Sequence, residues 1–168
     1  LPMTPELQQR FERGMDMLDS SISELRRVAH NMMPEALFKY GLDAALRDFC
    51  TSINSSGVLK VVYQGYGLDE LRVNQTVVVI IYRIIQELMN NIIKHAGAAQ
   101  AIVQVNKDGN KLLITVEDDG RGIGAAELVK TDGIGWANIR SRLDYLKARV
   151  DVQGEAGKGT FVNIEIDV

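Results

Sequence analysis

The chain has 168 residues, of which 46% are hydrophobic and 24% charged, and its formal net charge is −3. That is enough for one sizeable core, or for a small helical piece joined to one compact domain, and the charge leaves no electrostatic footprint for nucleic acid. The single cysteine, Cys50, excludes an internal disulfide and any multi-cysteine metal site, and it suits a reducing cytoplasm as a small buried apolar group.

No run approaches the roughly 18 consecutive apolar residues of a membrane helix, and no signal peptide is present. The chain starts at Leu1 rather than at methionine, so it reads as a piece of a longer protein whose membrane spans are not excluded.

From the N-terminus, Phe11, Met15, Leu18, Ile22, Leu25, Ala29 and Met32 recur in alternating steps of four and three, the seam of a coiled coil or helical bundle. His30 lies one step off that seam, either a packed histidine or a nucleophile held in the open. Pro34 ends or kinks the helix at Met33. A second helix is predicted over 42–53, closed by "NSSG" at 54–57. Two short-linked helices cannot bury one seam alone, so residues 1–56 are expected to pair with a second copy as a four-helix bundle.

After Gly57 the pattern changes. "LKVVYQG" (59–65) predicts a strand, and 74–97 a long helix, because Val77, Ile81, Ile84, Leu88 and Ile92 recur at helical spacing up to Gly97. Residues 100–119 alternate on either side of Asp108-Gly109, a hairpin signature. A helix over 136–147 and two closing strands, "RVDVQG" and "TFVNIEIDV", complete the expected α+β fold, an α/β sandwich with a mixed, mostly antiparallel sheet over residues 57–168.

Four features carry chemistry. Glu87, Asn91 and His95 are spaced i, i+4, i+8 with Lys94 beside them, a polar stripe that suits a metal-bound polyphosphate or is an ordinary solvated helix face. The carbonyl of Asn91 suits Mg²⁺, which prefers hard oxygen donors. In "DDGRGIG" (118–124) a strand-end aspartate can accept a hydrogen bond from an exocyclic amine, favouring adenine over guanine, although turns use the same residues. "DGIGWANI" (132–139) sets Gly133 and Gly135 before a helix, whose N-terminal amides form an anion site, and "GKGT" (157–160) is a third glycine turn.

In this order the boxes closely resemble the ATP-binding superfamily shared by gyrase, heat-shock chaperones, sensor histidine kinases and mismatch-repair ATPases. Within it the match is to sensor histidine kinases of the nitrate/nitrite-sensor type. "ELRRVAHNMMPEALFKYGLDAAL" resembles that group's phosphoacceptor box, and "QELMNNIIKHA", "VEDDGRGIG", "GIGWANIRSRL" and "GKGTFVNIEI" resemble its nucleotide-binding boxes.

The resemblance implies an ATP-dependent autokinase. His30 would be phosphorylated and Glu87 would polarise its imidazole. Asn91 would hold Mg²⁺, Lys94 and His95 would touch phosphates, and Asp118, with Thr160, would meet adenine. The glycine boxes, with Gly120, Gly122, Ile123, Gly133, Gly135, Gly157 and Gly159, would complete the ATP site, the segment between Gly122 and Gly135 forming a mobile lid. The implied partners are a second copy through the N-terminal helices and a response-regulator receiver domain, in the cytoplasmic part of a sensor that is a candidate for membrane anchoring elsewhere. A movable junction is expected near residues 54–58.

Three positions depart from the group. Asn31 replaces the usual acid after the histidine, and an amide cannot act as a base. Glu35 stands where some members carry a dephosphorylating glutamine, which puts phosphatase activity in doubt. Trp136 replaces an aliphatic residue and is expected to pack on the lid or fill core. The rival readings are a non-catalytic dimeric nucleotide-sensing module and an anti-sigma-type serine kinase.

Overall fold

A computed structural model describes residues 8–15, 17, 18, 21, 35–122 and 134–168. His30, Asn31, Ile123, Gly133 and the expected lid between Gly122 and Ile134 lie outside the described residues. The chain divides into two compact units, Leu1–Glu35 and Ala36–Val168. In the first, the described residues are helical, as the seam predicts, and the seam side chains Phe11, Met15 and Leu18 are exposed.

The second unit is a five-stranded sheet, β1 (Lys60–Tyr66), β2 (Gln100–Asp108), β3 (Lys111–Asp118), β4 (Arg149–Glu155) and β5 (Gly159–Asp167), in the order β1-β2-β3-β5-β4. β1 and β2 run parallel and the other pairs are antiparallel, so the sheet is mixed, as expected. Among the described residues three α-helices accompany it: α1 (Glu35–Ser56), α2 (Gln75–Asn91) and α3 (Ile134–Tyr145).

Strand alternation sorts the sheet into two faces. Ala101, Val103, Val105, Leu112, Ile114, Val116, Val162, Ile164 and Ile166 point into one core, where they join Ile81, Ile84, Ile85 and Met89 of α2. The opposite face is mixed: Val62, Tyr66 and Ile102 are exposed on it beside hydrogen bonds among Gln64, Gln104 and Thr115 and ion pairs from Lys111 and Arg149 to Glu165. Asn74 caps α2 by accepting from the Val77 amide at 2.9 Å. A single π turn, Ile92–Ala96, follows α2 before the chain leaves through Gly97 at φ 62°. By length and composition Gln75–Ala96 could cross a membrane, yet its apolar stripe is spent on the core of this sheet.

The expected helical hairpin is where the fold differs most. α1 begins at Glu35, is interrupted at Gly41 (φ 83°, ψ −177°), and buries Leu37, Leu42, Ala45, Leu46, Phe49, Cys50 and Ile53 in the same core as α2 and the sheet. The Phe49 ring meets Tyr82 edge-on at 6.0 Å. Asp43 accepts from the Tyr63 hydroxyl at 2.8 Å, and Arg47 pairs with Asp43 while lying over the Tyr63 ring. The apolar face of α1 is therefore buried in the core that it shares with α2 and the sheet. The second compact unit thus runs from Ala36, and includes α1 after Glu35. Residues 54–58 are not a loose junction: Asn54 bonds both the amide and the carbonyl of Val61, at 2.7 and 2.8 Å, closing the outer edge of β1. Cys50 is core, as read from the sequence, with its thiol pushed up to about 12 by burial.

Two substitutions test this packing from opposite sides. Asn54→Ala leaves both polar groups of buried Val61 unpaired and is expected to cost about 1–3 kcal/mol in urea unfolding. The buried Tyr82 hydroxyl has no partner among the described residues, so Tyr82→Phe is expected to leave the urea midpoint unchanged or raise it.

Candidate functional site

The chemistry-bearing residues gather where the C-terminal end of β3 meets the end of α2. Asp118 is the last residue of β3, and Thr160 lies opposite it on β5. Asp118 is only 6% exposed, and its Oδ1 accepts from the Gly120 amide at 2.8 Å. Burial pushes its carboxyl above the ordinary aspartate range, against the lowering effect of hydrogen bonds from Gly120 and Thr160. The neighbouring Asp119 has a different task. Its Oδ1 accepts from the Ala99 and Gln100 amides, both at 2.8 Å, tying the loop to the start of β2, and these bonds hold its carboxyl below the usual range.

Two glycine turns and the π turn interlock around Asp118. The Arg121 amide donates to the Ala96 carbonyl at 2.9 Å, and the Gly157 amide donates to the Arg121 carbonyl at 2.7 Å, so loop 119–122 is clamped between the π turn and the β4–β5 turn. Gly120 lies against Ala96, and Gly122 against the Glu155 and Gly159 carbonyls. At Gly159 (φ 89°) a Cβ would overlap the Asp118 carbonyl, so only glycine allows the two backbones to approach.

On α2, Glu87 and Asn91 are half-buried and face the first turn of α3: a Cβ at Gly135 would collide with the Glu87 carboxylate and reach Asn91 Oδ1 at 3.3 Å. Lys94 and His95 sit on the π turn and are exposed. A π turn rotates less per residue than an α turn, so the i, i+4 row that begins at Glu87 does not carry them into the cavity.

That cavity, about 50 Å³, is walled by Leu88, Asn91, Ile92 and Ala96 from α2 and the π turn, Val116 and Asp118 from β3, Trp136 from α3, and Thr160 and Val162 from β5. An open groove of about 450 Å³ runs along the β4–β5 turn past Glu117, Gln153, Glu155, Lys158 and Phe161, and reaches Asp118 and Thr160 from outside. The smaller cavity joins a buried acceptor, apolar walls and an oxygen-bearing mouth, the composition of a site for a flat heterocycle carrying charge at one end.

Residues 76–168, more than half of the chain, match the family model described as histidine kinase-, DNA gyrase B- and HSP90-like ATPase. The chain belongs to this ATPase family. Sensor histidine kinase MctS of Rhizobium johnstonii is 29% identical over 151 residues, 88% of this chain and 32% of that protein. The histidine kinase domain of the blue-light activated histidine kinase from Erythrobacter litoralis EL346 is 30% identical, with a TM-score of 0.62 over 75% of this chain and 60% of its own. Acinetobacter baumannii histidine kinase AdeS, at 13% identity, shares the fold over 99% of this chain and 86% of its own, with a TM-score of 0.58. The chain thus contains a histidine kinase-type ATPase domain, homologous to sensor histidine kinases, and spans about a third of the length of its curated relative.

In this ATPase domain Asn91, Asp118 and Thr160 come together in one cavity, with Glu87 and Gly135 at its edge and Gly120, Gly122, Gly157 and Gly159 in the turns that support it. The apolar walls Leu88, Ile92, Val116 and Val162 carry no signal of their own, since core and cavity positions share one periodicity. Trp136, singled out in the sequence as a replacement for an aliphatic residue, lines the cavity.

The raised Asp118 carboxyl has a stability consequence. A folded-state value above the unfolded one favours the native state while the group is protonated, so that contribution is complete in acid and is lost as pH rises through the folded value. Asp118→Asn removes the charge and keeps an acceptor for the Gly120 amide. In urea unfolding at pH 8 this variant is expected to be more stable than the unaltered chain, with the gap closing as pH falls; lower stability at pH 8 contradicts the assignment.

Proposed function

We propose that this chain is the catalytic part of a two-component sensor histidine kinase, of the nitrate/nitrite-sensor type, which moves the γ-phosphoryl group of Mg-ATP to a histidine. The observation that carries the reading is the buried Asp118 acceptor facing apolar walls, with Asn91 and Glu87 at the mouth beside the start of α3. In this reading Asp118 accepts from the exocyclic amine of adenine and Thr160 borders the base. The N-terminal amides of α3 meet phosphate charge.

Mg²⁺ fits the residues present. Among the described residues no cluster of three His, Cys, Asp or Glu forms a protein cage, and the Asn91 carbonyl beside the Glu87 carboxylate offers hard oxygens to an ion otherwise held by phosphates and water. Bound there, the ion neutralises charge on the transferring group.

The acceptor proposed within this chain is His30. Its neutral imidazole nitrogen attacks the γ-phosphorus, the bond to the bridging oxygen breaks, ADP leaves, and the imidazole proton passes to a base, with Glu87 the candidate because Asn31 cannot serve. The phosphoryl group then passes to an aspartate of a response-regulator receiver domain. The exposed seam at Phe11, Met15 and Leu18 supports pairing of two copies through the N-terminal helices. The kinase is proposed to work in the cytoplasm, as part of a longer sensor protein.

A second reading is favoured by one observation. Because α1 is built into the ATPase core, the segment before it has no partner helix among the described residues, and the acceptor histidine then belongs to another part of a longer protein. Incubation with γ-labelled Mg-ATP separates the two. The first predicts an acid-labile, alkali-stable label that is lost in His30→Gln, with ATP binding kept. A label retained in His30→Gln, or ATP bound without any label, removes His30 as the acceptor.

A further inference from the structure

We propose that the indole of Trp136 is the movable wall of the nucleotide cavity and packs against the base of the bound nucleotide. This rests on the ATP-binding reading of the same cavity and gives a contact to the base to a residue that the sequence placed only on the lid or in the core.

Space gives the first argument. At about 50 Å³ the cavity has room for a few water molecules, each needing roughly 10–15 Å³. Ligand sites start at about 300 Å³, so a base enters only if a wall gives way. Val116, Ala96, Leu88 and Val162 are at most 6% exposed and are held on every side by the sheet and α2. Trp136 is only partly buried, and it is the large side chain on the wall with a face open to solvent. Rotation of its χ angles enlarges the cavity without disturbing the core.

Chemistry gives the second. Asp118 reads the edge of a base by hydrogen bonding, which leaves the two faces of the ring to be covered by apolar surface. The indole is flat and wide enough to cover one face, and base–aromatic stacking is tolerant of small differences in ring geometry. An aliphatic side chain at this position covers less of the ring. Gly135, by its close approach to Glu87 and Asn91, fixes the first turn of α3 against α2, and that turn carries the next residue, Trp136, into the cavity wall.

Trp136 is the single tryptophan of the chain, so its fluorescence reports on this wall alone. Titration of the intact chain with adenosine and with Mg-ADP is expected to change the emission saturably in both cases. By calorimetry, Trp136→Leu is expected to weaken both ligands by a similar factor, on the order of tenfold, and Trp136→Phe to stay within about threefold. The common factor marks a contact to the base, because a residue acting on the phosphate end alters Mg-ADP alone. Nucleotide binding by the unaltered chain with no change in emission overturns the proposal, as does unaltered affinity in a folded Trp136→Leu. Should Trp136→Leu fail to fold, the emission of the unaltered chain and the Trp136→Phe affinities decide. Failure of the unaltered chain to bind either ligand by calorimetry overturns the ATP-binding reading itself, and the proposal with it.

Discussion

A carboxylate that must stay in a place largely closed to water constrains everything around it. Asp118 is kept there by hydrogen bonds: the Gly120 amide and Thr160 donate to it while burial opposes its charge. For these bonds to form, the β4–β5 turn must approach the end of β3 closely at Gly159, and loop 119–122 must be pinned to Ala96 and Gly157. The glycine boxes at 118–124 and 157–160 are thus parts of one support, although nearly forty positions separate them.

The same geometry explains why neighbouring acids divide their work. Asp119 is spent on the amides of Ala99 and Gln100, so it fixes the loop that presents Asp118. A strand reverses the side chain at each step, which sends one aspartate to the cavity and leaves the next free to tie down the loop. On α2, the polar row holds only as far as Asn91. Beyond it the π turn changes the winding, leaving Lys94 and His95 exposed at the rim.

The place of α1 decides how the core of this ATPase domain is closed. Its apolar stripe satisfies the sheet core, with Phe49 on Tyr82 and Asp43 on Tyr63, and Asn54 seals the β1 edge. The backbone interruption in this region is Gly41, at a conformation open to glycine alone, and not the "NSSG" stretch, where composition suggested a joint. A helix with one apolar face carries no label saying which surface will cover it. That is why a hairpin read well from the pattern and the sheet took the face instead.

Much of the ATPase domain was legible without coordinates. Period-2 alternation around Gly109, helical spacing from Val77 to Ile92, and glycines at helix and strand ends identified the elements to within a few residues, because each depends on local backbone geometry. The residues Asn91, Asp118 and Gly135 were singled out by chemistry that local spacing can express, and Thr160 by the family resemblance. What only the tertiary structure decided was which surfaces meet: α1 on the sheet, Gly135 against Glu87, Trp136 on the cavity wall, and Asp119 turned to the loop. These depend on contacts between segments far apart in the chain, and hydrophobic periodicity states that a face is to be buried without naming its partner.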